Sequence, residues 1–253
     1  MIRAIALIVV SLALPLSSAA EELTGEEIAR KVNDVMNQPT VRATMKMTIV
    51  TSSGKERTFE YESYSKDKGE KNLIRYVAPA RVRGQALLML NNANDIWAYF
   101  PRTKRVRKLA THAKKQKMEG SDFSYEDMGA SEAFITDFTA KRLKDEKKMG
   151  HDCYKLELIR KKGSDSSYSR LVMWVDKGNF VPIVIDYYDE NDPNLLLKTL
   201  IMSDIKVVDG VPTPMKMVMR NVIDNTRTVM EITSVEYNVK LDDEMFTERG
   251  LRK

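Results

Sequence analysis

Three acidic residues that could take part in proton transfer lie close together in the segment SDFSYEDM, at residues 121–128. Asp122, Glu126 and Asp127 could act as general acids only if the fold buried them. No neighbouring histidine is available as a base, and the chain has no G-x-S-x-G motif. A hydrolytic site is therefore the weaker interpretation. We expect Ser121 or Asp122 to cap a short helix that carries the other two acids in its first turn.

The histidines and the cysteine lack the spacing of a metal site. The chain contains His112, His151 and a single cysteine, Cys153. Because the histidines lie far apart and there is no second cysteine, the ligand pattern of a zinc site is missing. Cys153 belongs to the alternating segment HDCYKLELI, where a buried thiol behaves as a small hydrophobic group. We expect no metal, no cofactor and no internal disulfide.

A dense group of basic residues precedes the acidic segment. Residues 101–118 contain eight lysines or arginines and no acid. They could form a solvated edge strand whose charge prevents pairing with other chains. They could also form a surface that binds phosphate headgroups or an acidic partner protein, since arginine suits such contacts. The candidate residues of this surface are Arg102, Lys104, Arg105 and Arg107.

The N-terminus has the pattern of a secretory signal peptide. Arg3 precedes an apolar run at residues 4–16, and the sequence SAA at residues 18–20 provides a cleavage site. The alternative is a membrane anchor, but the apolar run is short for a span of about 20 residues. We predict a cleaved signal peptide at residues 1–20 and one domain at residues 21–253.

The charge of the chain is positive, at +5 for pH 7. Removal of the signal peptide with Arg3 would leave +4. For an exported protein, such a charge points to anionic lipid headgroups or to an acidic partner surface. Nucleic acid is the weaker interpretation, because export removes the usual encounter.

The segment LTGEEIARKVNDVMNQ predicts a helix at the start of the mature chain. Thr24 can cap it, and Glu27 stands three residues later as the partner in a capping box. Apolar residues fall on one face at helical spacing. They are Ile28, Val32, Val35 and Met36.

Beyond Pro39 the apolar period changes from 3.6 to 2, which indicates strands. Residues 111–138 interrupt this pattern and predict one or two short helices with a break at Gly129. About eleven strands in one meander form a sheet that must curl. Such a barrel encloses more space than its own side chains readily fill. We therefore expect helices or a ligand to fill it.

The strand positions that we predict to face inwards are apolar and rich in methionine, which adapts to irregular partners. Ordinary core packing is the alternative for each of them, and a cavity for acyl chains is the interpretation for the set. The predicted cavity residues are Met45, Met47, Ile49, Phe59, Tyr61, Leu88, Leu90, Trp97, Tyr99, Met173, Met215, Met217 and Met219. The predicted lid residues are Phe123, Tyr125, Met128 and Phe134.

One long stretch resembles a known family. The segment GQALLMLNNANDIWAYFPRTKRVRKL, followed by GSDFSYEDM, is similar to exported proteins of the LolA-like superfamily, the outer-membrane lipoprotein-sorting proteins. Its matching positions include Trp97, Tyr99, Pro101 and the residues from Gly120 to Asp127. The resemblance extends over nearly all of the mature chain.

This resemblance implies an incomplete, strongly curved antiparallel β-barrel of about eleven strands, with helices covering its open side. It implies a periplasmic carrier, without enzymatic activity, that holds the acyl chains of a lipoprotein or lipid and passes them toward the outer membrane. An inner-membrane transporter, such as a resistance-nodulation-division exporter, and an outer-membrane acceptor are the implied partners. We expect a monomer that contacts the membrane only peripherally. The alternatives are an interaction module that serves an exporter and, less favoured, a periplasmic hydrolase.

Overall fold

The computed structural model describes residues 22–129 and 131–252. The predicted signal peptide at residues 1–20 lies outside these residues. The predicted first helix is confirmed as α1, Gly25–Met36. Its capping box is also present, because the Thr24 backbone N donates to Glu27 Oε2 at 2.8 Å and the Glu27 backbone N donates to Thr24 Oγ1 at 3.2 Å.

Fourteen strands follow α1 in two groups. The first group is β1 (Thr40–Val50), β2 (Glu56–Lys66), β3 (Lys71–Ala78), β4 (Ala86–Leu90), β5 (Asp95–Phe100) and β6 (Arg105–Lys108). The second group is β7 (Phe138–Arg142), β8 (Glu146–Lys148), β9 (His151–Arg160), β10 (Tyr168–Asp176), β11 (Pro182–Asp189), β12 (Leu196–Val208), β13 (Val211–Asn221) and β14 (Thr226–Tyr237).

All strands belong to one curved antiparallel sheet in the order β6-β5-β4-β3-β2-β1-β14-β13-β12-β11-β10-β9-β7, and β8 also pairs with β9. The first strand therefore pairs with the last in the middle of the sheet. Strands β6 and β7 stand at its two ends, so the sheet remains unclosed. The predicted incomplete barrel is confirmed.

The strand count exceeds the prediction of about eleven. One cause is the segment AKRLKDEKKM, which we predicted as a single strand and which forms β7 and β8. The Arg142 guanidinium donates to both carboxylate oxygens of Asp145, at 3.1 and 2.7 Å. This local ion pair forms just where β7 ends.

The connection between β6 and β7, residues 109–137, runs from one free edge of the sheet to the other; we call it the cover segment. It contains 3₁₀ turns at Thr111–Lys115 and Met118–Gly120, followed by α2 (Tyr125–Gly129) and α3 (Ala133–Thr136). The predicted break at Gly129 is confirmed, since α2 ends there. The cover segment and α1 pack against the same core of the sheet.

That core lies on the concave face of the sheet. Phe59, Tyr61 and Tyr76 fill part of it with edge-to-face contacts, at centroid distances of 5.9 Å for Phe59–Tyr76 and 5.7 Å for Tyr61–Tyr76. Among the described residues, no helix is both long and apolar enough to cross a membrane.

The C-terminal segment covers part of the convex face. Two 3₁₀ turns, Asp243–Phe246 and Gly250–Arg252, place Phe246 and Leu251 against apolar residues of β3 and β4. Arg75 fixes this contact by donating to the Gly250 carbonyl at 2.7 Å. Both faces of β3 and β4 are therefore buried.

Cys153 lies in a small apolar cluster separate from the concave core, and only 1% of its surface is exposed. Burial raises the pKa of its thiol to about 11. We predict that alkylation of the native protein by iodoacetamide at pH 8 is about a hundredfold slower than that of the unfolded chain. Mass spectrometry of the labelled protein measures both rates, and equal rates would contradict the burial.

Candidate functional site

A cavity of about 300 Å³ lies between the sheet, the end of α1 and the cover segment. Its volume is at the lower end of the range for ligand sites, about 300–1,000 Å³. Its apolar lining consists of Met36, Val41, Met45, Phe123, Met128, Phe134, Ile185, Tyr187, Leu200, Met202, Met217 and Met230.

Methionines form the floor of this cavity in one row across neighbouring strands. Met202 of β12 pairs with Met217 of β13, which in turn pairs with Met230 of β14 and, through it, with Met47 of β1. Met202, Met217 and Met230 line the cavity, whereas Met47 is completely buried below it. Because thioether side chains are flexible and polarisable, such a floor can adapt to chains of different shape.

The mouth of the cavity is polar but uncharged. It is formed by Asn37, Gln38, Ser65, Gly69, Asn72 and Ser131. Asn37 Nδ2 donates to the Ser131 carbonyl at 2.7 Å and so ties the end of α1 to the cover segment. Gly69 has a φ of +90°, and a Cβ on it would lie 2.4 Å from the Cβ of Ser131. Only glycine allows the β2–β3 turn to approach the cover segment this closely.

One residue that lines the cavity, Asp127, belongs to a buried ion pair. Asp127 of α2 pairs with Lys198 of β12, and their side chains are only 4% and 9% exposed. Asp127 also accepts a hydrogen bond from Tyr168 Oη at 2.8 Å and from the backbone N of Ser124 at 2.6 Å. Burial, followed by the Asp127 charge, raises the pKa of Tyr168 well above its usual range, so the phenol stays a donor.

The cap of α2 differs from the prediction. Ser124, rather than Ser121 or Asp122, accepts the hydrogen bond from the Asp127 backbone N, at 3.1 Å. Asp127 returns a bond to the Ser124 backbone, so the two residues form a capping box. Ser121, Asp122 and Ser124 all precede α2 and each of them could cap a helix, so the sequence alone did not identify the residue that does.

Asp122 holds the cover segment to β14. Its carboxylate accepts hydrogen bonds from Thr226 Oγ1 and, at 2.8 Å, from Thr228 Oγ1. Its backbone N donates to Thr228 Oγ1 at 2.9 Å. The residue is buried and belongs to no helix start, contrary to the prediction.

Glu126 holds the cover segment to the loop between β9 and β10. Its carboxylate accepts bonds from Ser166 Oγ at 2.7 Å, from the Ser167 backbone N at 3.1 Å and from the Ser167 hydroxyl. With Asp122 and Asp127, which bond to strands, it gives the cover segment three buried carboxylates that hold it in place. These three carboxylates therefore attach the cover segment to the rest of the fold.

Part of the predicted lining lies where we expected it. Met45, Met217, Phe123, Met128 and Phe134 line the cavity. Further predicted residues are buried in the concave core around it: Met47, Ile49, Phe59, Tyr61, Met173 and Met219. Tyr125 is half-buried and packs against the same core.

Four predicted cavity residues, Leu88, Leu90, Trp97 and Tyr99, lie on the wrong face. They pack on the convex side of β4 and β5, against the cluster that contains Leu251. Their neighbours Leu87, Met89, Ile96 and Ala98 face the concave core instead. In a strand that is apolar on both faces, alternation cannot indicate which side faces inwards.

Met215 also lies outside the cavity. It lines a separate shallow depression together with Lys46, Asp204 and Lys216. The pairing of β13 with β14 begins at Lys216, so Met215 lies just outside the paired stretch that carries the methionine row.

Sequence reasoning missed part of the site. Met202, Met230, Ile185 and Leu200 stand at alternating positions of predicted strands, which is the signal that could have found them. The amide side chains at the mouth carried no such signal. Asn37 and Asn72 are far apart in sequence, and only the folded chain places both of them at the cavity.

The predicted headgroup residues are exposed at the β5–β6 turn and on β6. Arg107 lies over the ring of Phe100, 5.9 Å from its centroid. Arg102, Lys104 and Arg105 form no ion pair with any residue that the structure describes. Over residues 22–129 and 131–252, no group of three His, Cys, Asp or Glu side chains could hold a metal ion.

A family model with the description "uncharacterized protein" matches residues 68–253. No curated protein matches the chain. Solved structures of similar proteins nevertheless cover almost all of it.

Three of them are similar over 90% of this chain. A structure from Vibrio parahaemolyticus, described as an outer membrane lipoprotein-sorting protein domain, is 28% identical, is covered over 98% of its length and has a TM-score of 0.80. A DUF1329 family protein from Desulfovibrio piger is 29% identical, is covered over 97% and has a TM-score of 0.80. A LolA superfamily protein from Nitrosomonas europaea is 23% identical, is covered over 99% and, with a TM-score of 0.75, shares the fold.

Proposed function

We propose that this chain, which belongs to the family whose model matches residues 68–253, is a periplasmic carrier of acyl chains. Its similarity over 90% of its length to a solved outer membrane lipoprotein-sorting protein domain supports this proposal. The cargo is a lipoprotein or a lipid whose chains enter the cavity and are passed toward the outer membrane. The observation that carries the proposal is the cavity itself, with its methionine floor and its uncharged polar mouth.

The size of the cavity sets the affinity that it can provide. At about 30 Å³ for a water-sized group, 300 Å³ holds roughly ten such groups, and a methylene group is of similar size. Burial of ten methylene groups contributes about 8 kcal/mol, before the cost of association. Such a value favours micromolar or weaker binding of one chain and allows transfer to a competing acceptor.

The attachment of the cover segment supports a carrier cycle. Three carboxylates hold this segment to the rest of the fold, so breaking a limited set of polar bonds would enlarge the cavity. Because these carboxylates are engaged, we propose no enzymatic activity. An inner-membrane transporter, which could be an exporter, would load the cavity, and an outer-membrane acceptor would empty it.

The N-terminal pattern completes the proposal. Cleavage after Ala20 would deliver residues 21–253 to the periplasm as one monomeric domain. All of the described strands join one sheet, which supports a single folding unit.

A cavity-filling variant tests the carrier. We expect the double variant Met202→Trp/Met217→Trp, in which two paired residues of the floor become larger, to lose bound lipid. If the two larger side chains exclude three methylene groups of the bound acyl chain from the cavity, its affinity should fall by about fifty-fold. Native mass spectrometry of gently purified protein measures the bound lipid.

The matched control is Val207→Trp, since Val207 is 72% exposed on the same strand as Met202. It should retain the wild-type lipid content. Circular dichroism and thermal unfolding establish that each variant is folded. Wild-type protein that carries no lipid and takes up no added fatty acid would favour an interaction module and reject the carrier.

A further inference from the structure

One end of the sheet carries a large excess of positive charge. Four neighbouring turns at this end carry the excess: β1–β2, β3–β4, β5–β6 and β13–β14. We call this surface the basic end, and its nine basic residues are Lys55, Arg57, Arg81, Arg83, Arg102, Lys104, Arg105, Arg220 and Arg227. The same turns contain only two acids, Glu56 and Asp224. This excess of seven is larger than the +5 of the whole chain, so the remainder of the chain is net acidic.

The sheet topology makes the basic end continuous. Its four turns connect strands that are neighbours in the order β6-β5-β4-β3-β2-β1-β14-β13. Val50, at the start of the β1–β2 turn, pairs with Arg227 on one side and with Glu56 on the other. Gly84 of the β3–β4 turn lies beside Pro101 of the β5–β6 turn. The charges therefore form one surface.

The cations of the basic end differ in their ion pairs from those at the opposite end of the strands. All nine residues are exposed, and within residues 22–129 and 131–252 none of them forms an ion pair. At the opposite end of the strands, Lys66 pairs with Asp243 at 2.9 Å and Lys71 pairs with Asp67 at 2.7 Å. The charge at the basic end is therefore uncompensated.

Two arginines of the basic end oppose each other directly. Arg220 of β13 and Arg227 of β14 are cross-strand partners. Like charges in this position destabilise a sheet. They also line a depression of about 480 Å³ together with Asn225 and Thr51. A bound anion such as a phosphate group would remove the repulsion.

The tip of the β13–β14 hairpin adds exposed apolar surface beside these arginines. Val222 and Ile223 are 51% and 57% exposed. Aliphatic side chains next to basic residues suit an interface in which the former enter the acyl region and the latter bind headgroups. An acidic protein partner would account for the cations but leave these two side chains without a role.

From the unpaired cations and the apolar tip together, we propose that the basic end binds the surface of an anionic phospholipid bilayer. Arg220 and Arg227 contact lipid phosphates, and Val222 and Ile223 enter the headgroup boundary. The β2–β3 turn at the cavity mouth lies at the other end of the strands, so the mouth stays free for a second macromolecule. The proposal concerns the outer surface and does not depend on the cavity binding a lipid.

Vesicle flotation tests the proposal with the full-length protein. We expect binding to vesicles of phosphatidylcholine and phosphatidylglycerol, little binding to phosphatidylcholine alone, and a decrease with rising salt. At about fivefold per basic residue, the variant Arg102→Gln/Lys104→Gln/Arg105→Gln should bind about a hundredfold more weakly. The variant Val222→Ser/Ile223→Ser should also bind more weakly, and its loss should persist at high salt.

A charge-matched control separates the basic end from net charge. Arg30, Lys141 and Lys144 are exposed basic residues outside the basic end, and their triple change to glutamine should leave vesicle binding within about twofold. All variants carry the same N-terminal residues, so any contribution of the apolar run at residues 4–16 is common to them.

Three outcomes would overturn the proposal: equal loss in both triple variants, equal binding to neutral and anionic vesicles, or no vesicle binding. Binding to heparin without binding to vesicles would also overturn it and assign the surface to an acidic macromolecule. The cavity is measured separately by the bound lipid, so failure of one proposal is distinguishable from failure of the other.

Discussion

Replacement of Lys198 by methionine should lower the free energy of unfolding by about 3–5 kcal/mol. Methionine has nearly the shape of lysine but leaves the Asp127 carboxylate, which is 4% exposed, without its cation. The ammonium group also lies 5.1 Å from the ring centroid of Tyr168, and this contact would be lost as well. Urea denaturation followed by circular dichroism measures the change.

A double variant shows whether the loss comes from the unpaired charge. Asp127→Asn/Lys198→Met removes both charges, and we expect it to recover about 2 kcal/mol of the loss. The control is Lys108→Met, because Lys108 pairs with Asp95 at 2.6 Å and is 56% exposed, and should cost less than about 1 kcal/mol. A loss for Lys198→Met no larger than this control would show that the buried pair does not hold the cover segment.

Replacement of Glu126 by alanine should release the cover segment without unfolding the sheet. The change leaves Ser166 Oγ and two donors of Ser167 without their acceptor. Hydrogen bonds to a charged group contribute about 1.5–3 kcal/mol. We therefore expect amide hydrogen exchange in residues 116–137 to rise by about tenfold to a hundredfold, while β1 and β14 keep their protection.

The matched control is Glu132→Ala in the same segment. The Glu132 side chain forms no hydrogen bond or ion pair with the residues that the structure describes. Its exchange pattern should equal that of the wild type. Bound lipid gives a second readout, since the Glu126→Ala protein should exchange it faster with added vesicles. Unchanged exchange in the cover segment of Glu126→Ala would contradict the attachment role.

The sequence predicted elements whose determinants are local. Thr24 and Glu27 define the start of α1 within four residues, and Gly129 ends α2. The alternation of apolar and polar residues located most strands. A single sheet of so many strands has to curl, so the curvature could be predicted as well. The resemblance added the open side and its helical cover.

Long-range contacts explain the parts that could not be predicted. Leu88 and Trp97 are as apolar as the residues that face the cavity, but their partners are Phe246 and Leu251, more than 140 residues later in the chain. In the same way, Asp122 bonds to Thr228, which is 106 residues away. Local spacing alone therefore suggested a helix cap.

The pairing of β1 with β14 has a consequence for how the chain folds. Strands β1–β6 form one half of the sheet and β7–β14 the other, and each half is continuous in sequence. The contacts that join the halves link residues nearly 200 positions apart, such as Thr44 with Ser234. Pairs of such high contact order form late. A chain that emerges N-terminus first would therefore keep one edge of β1 unpaired until β14 arrives, and during that time this edge would be open to pairing with other chains.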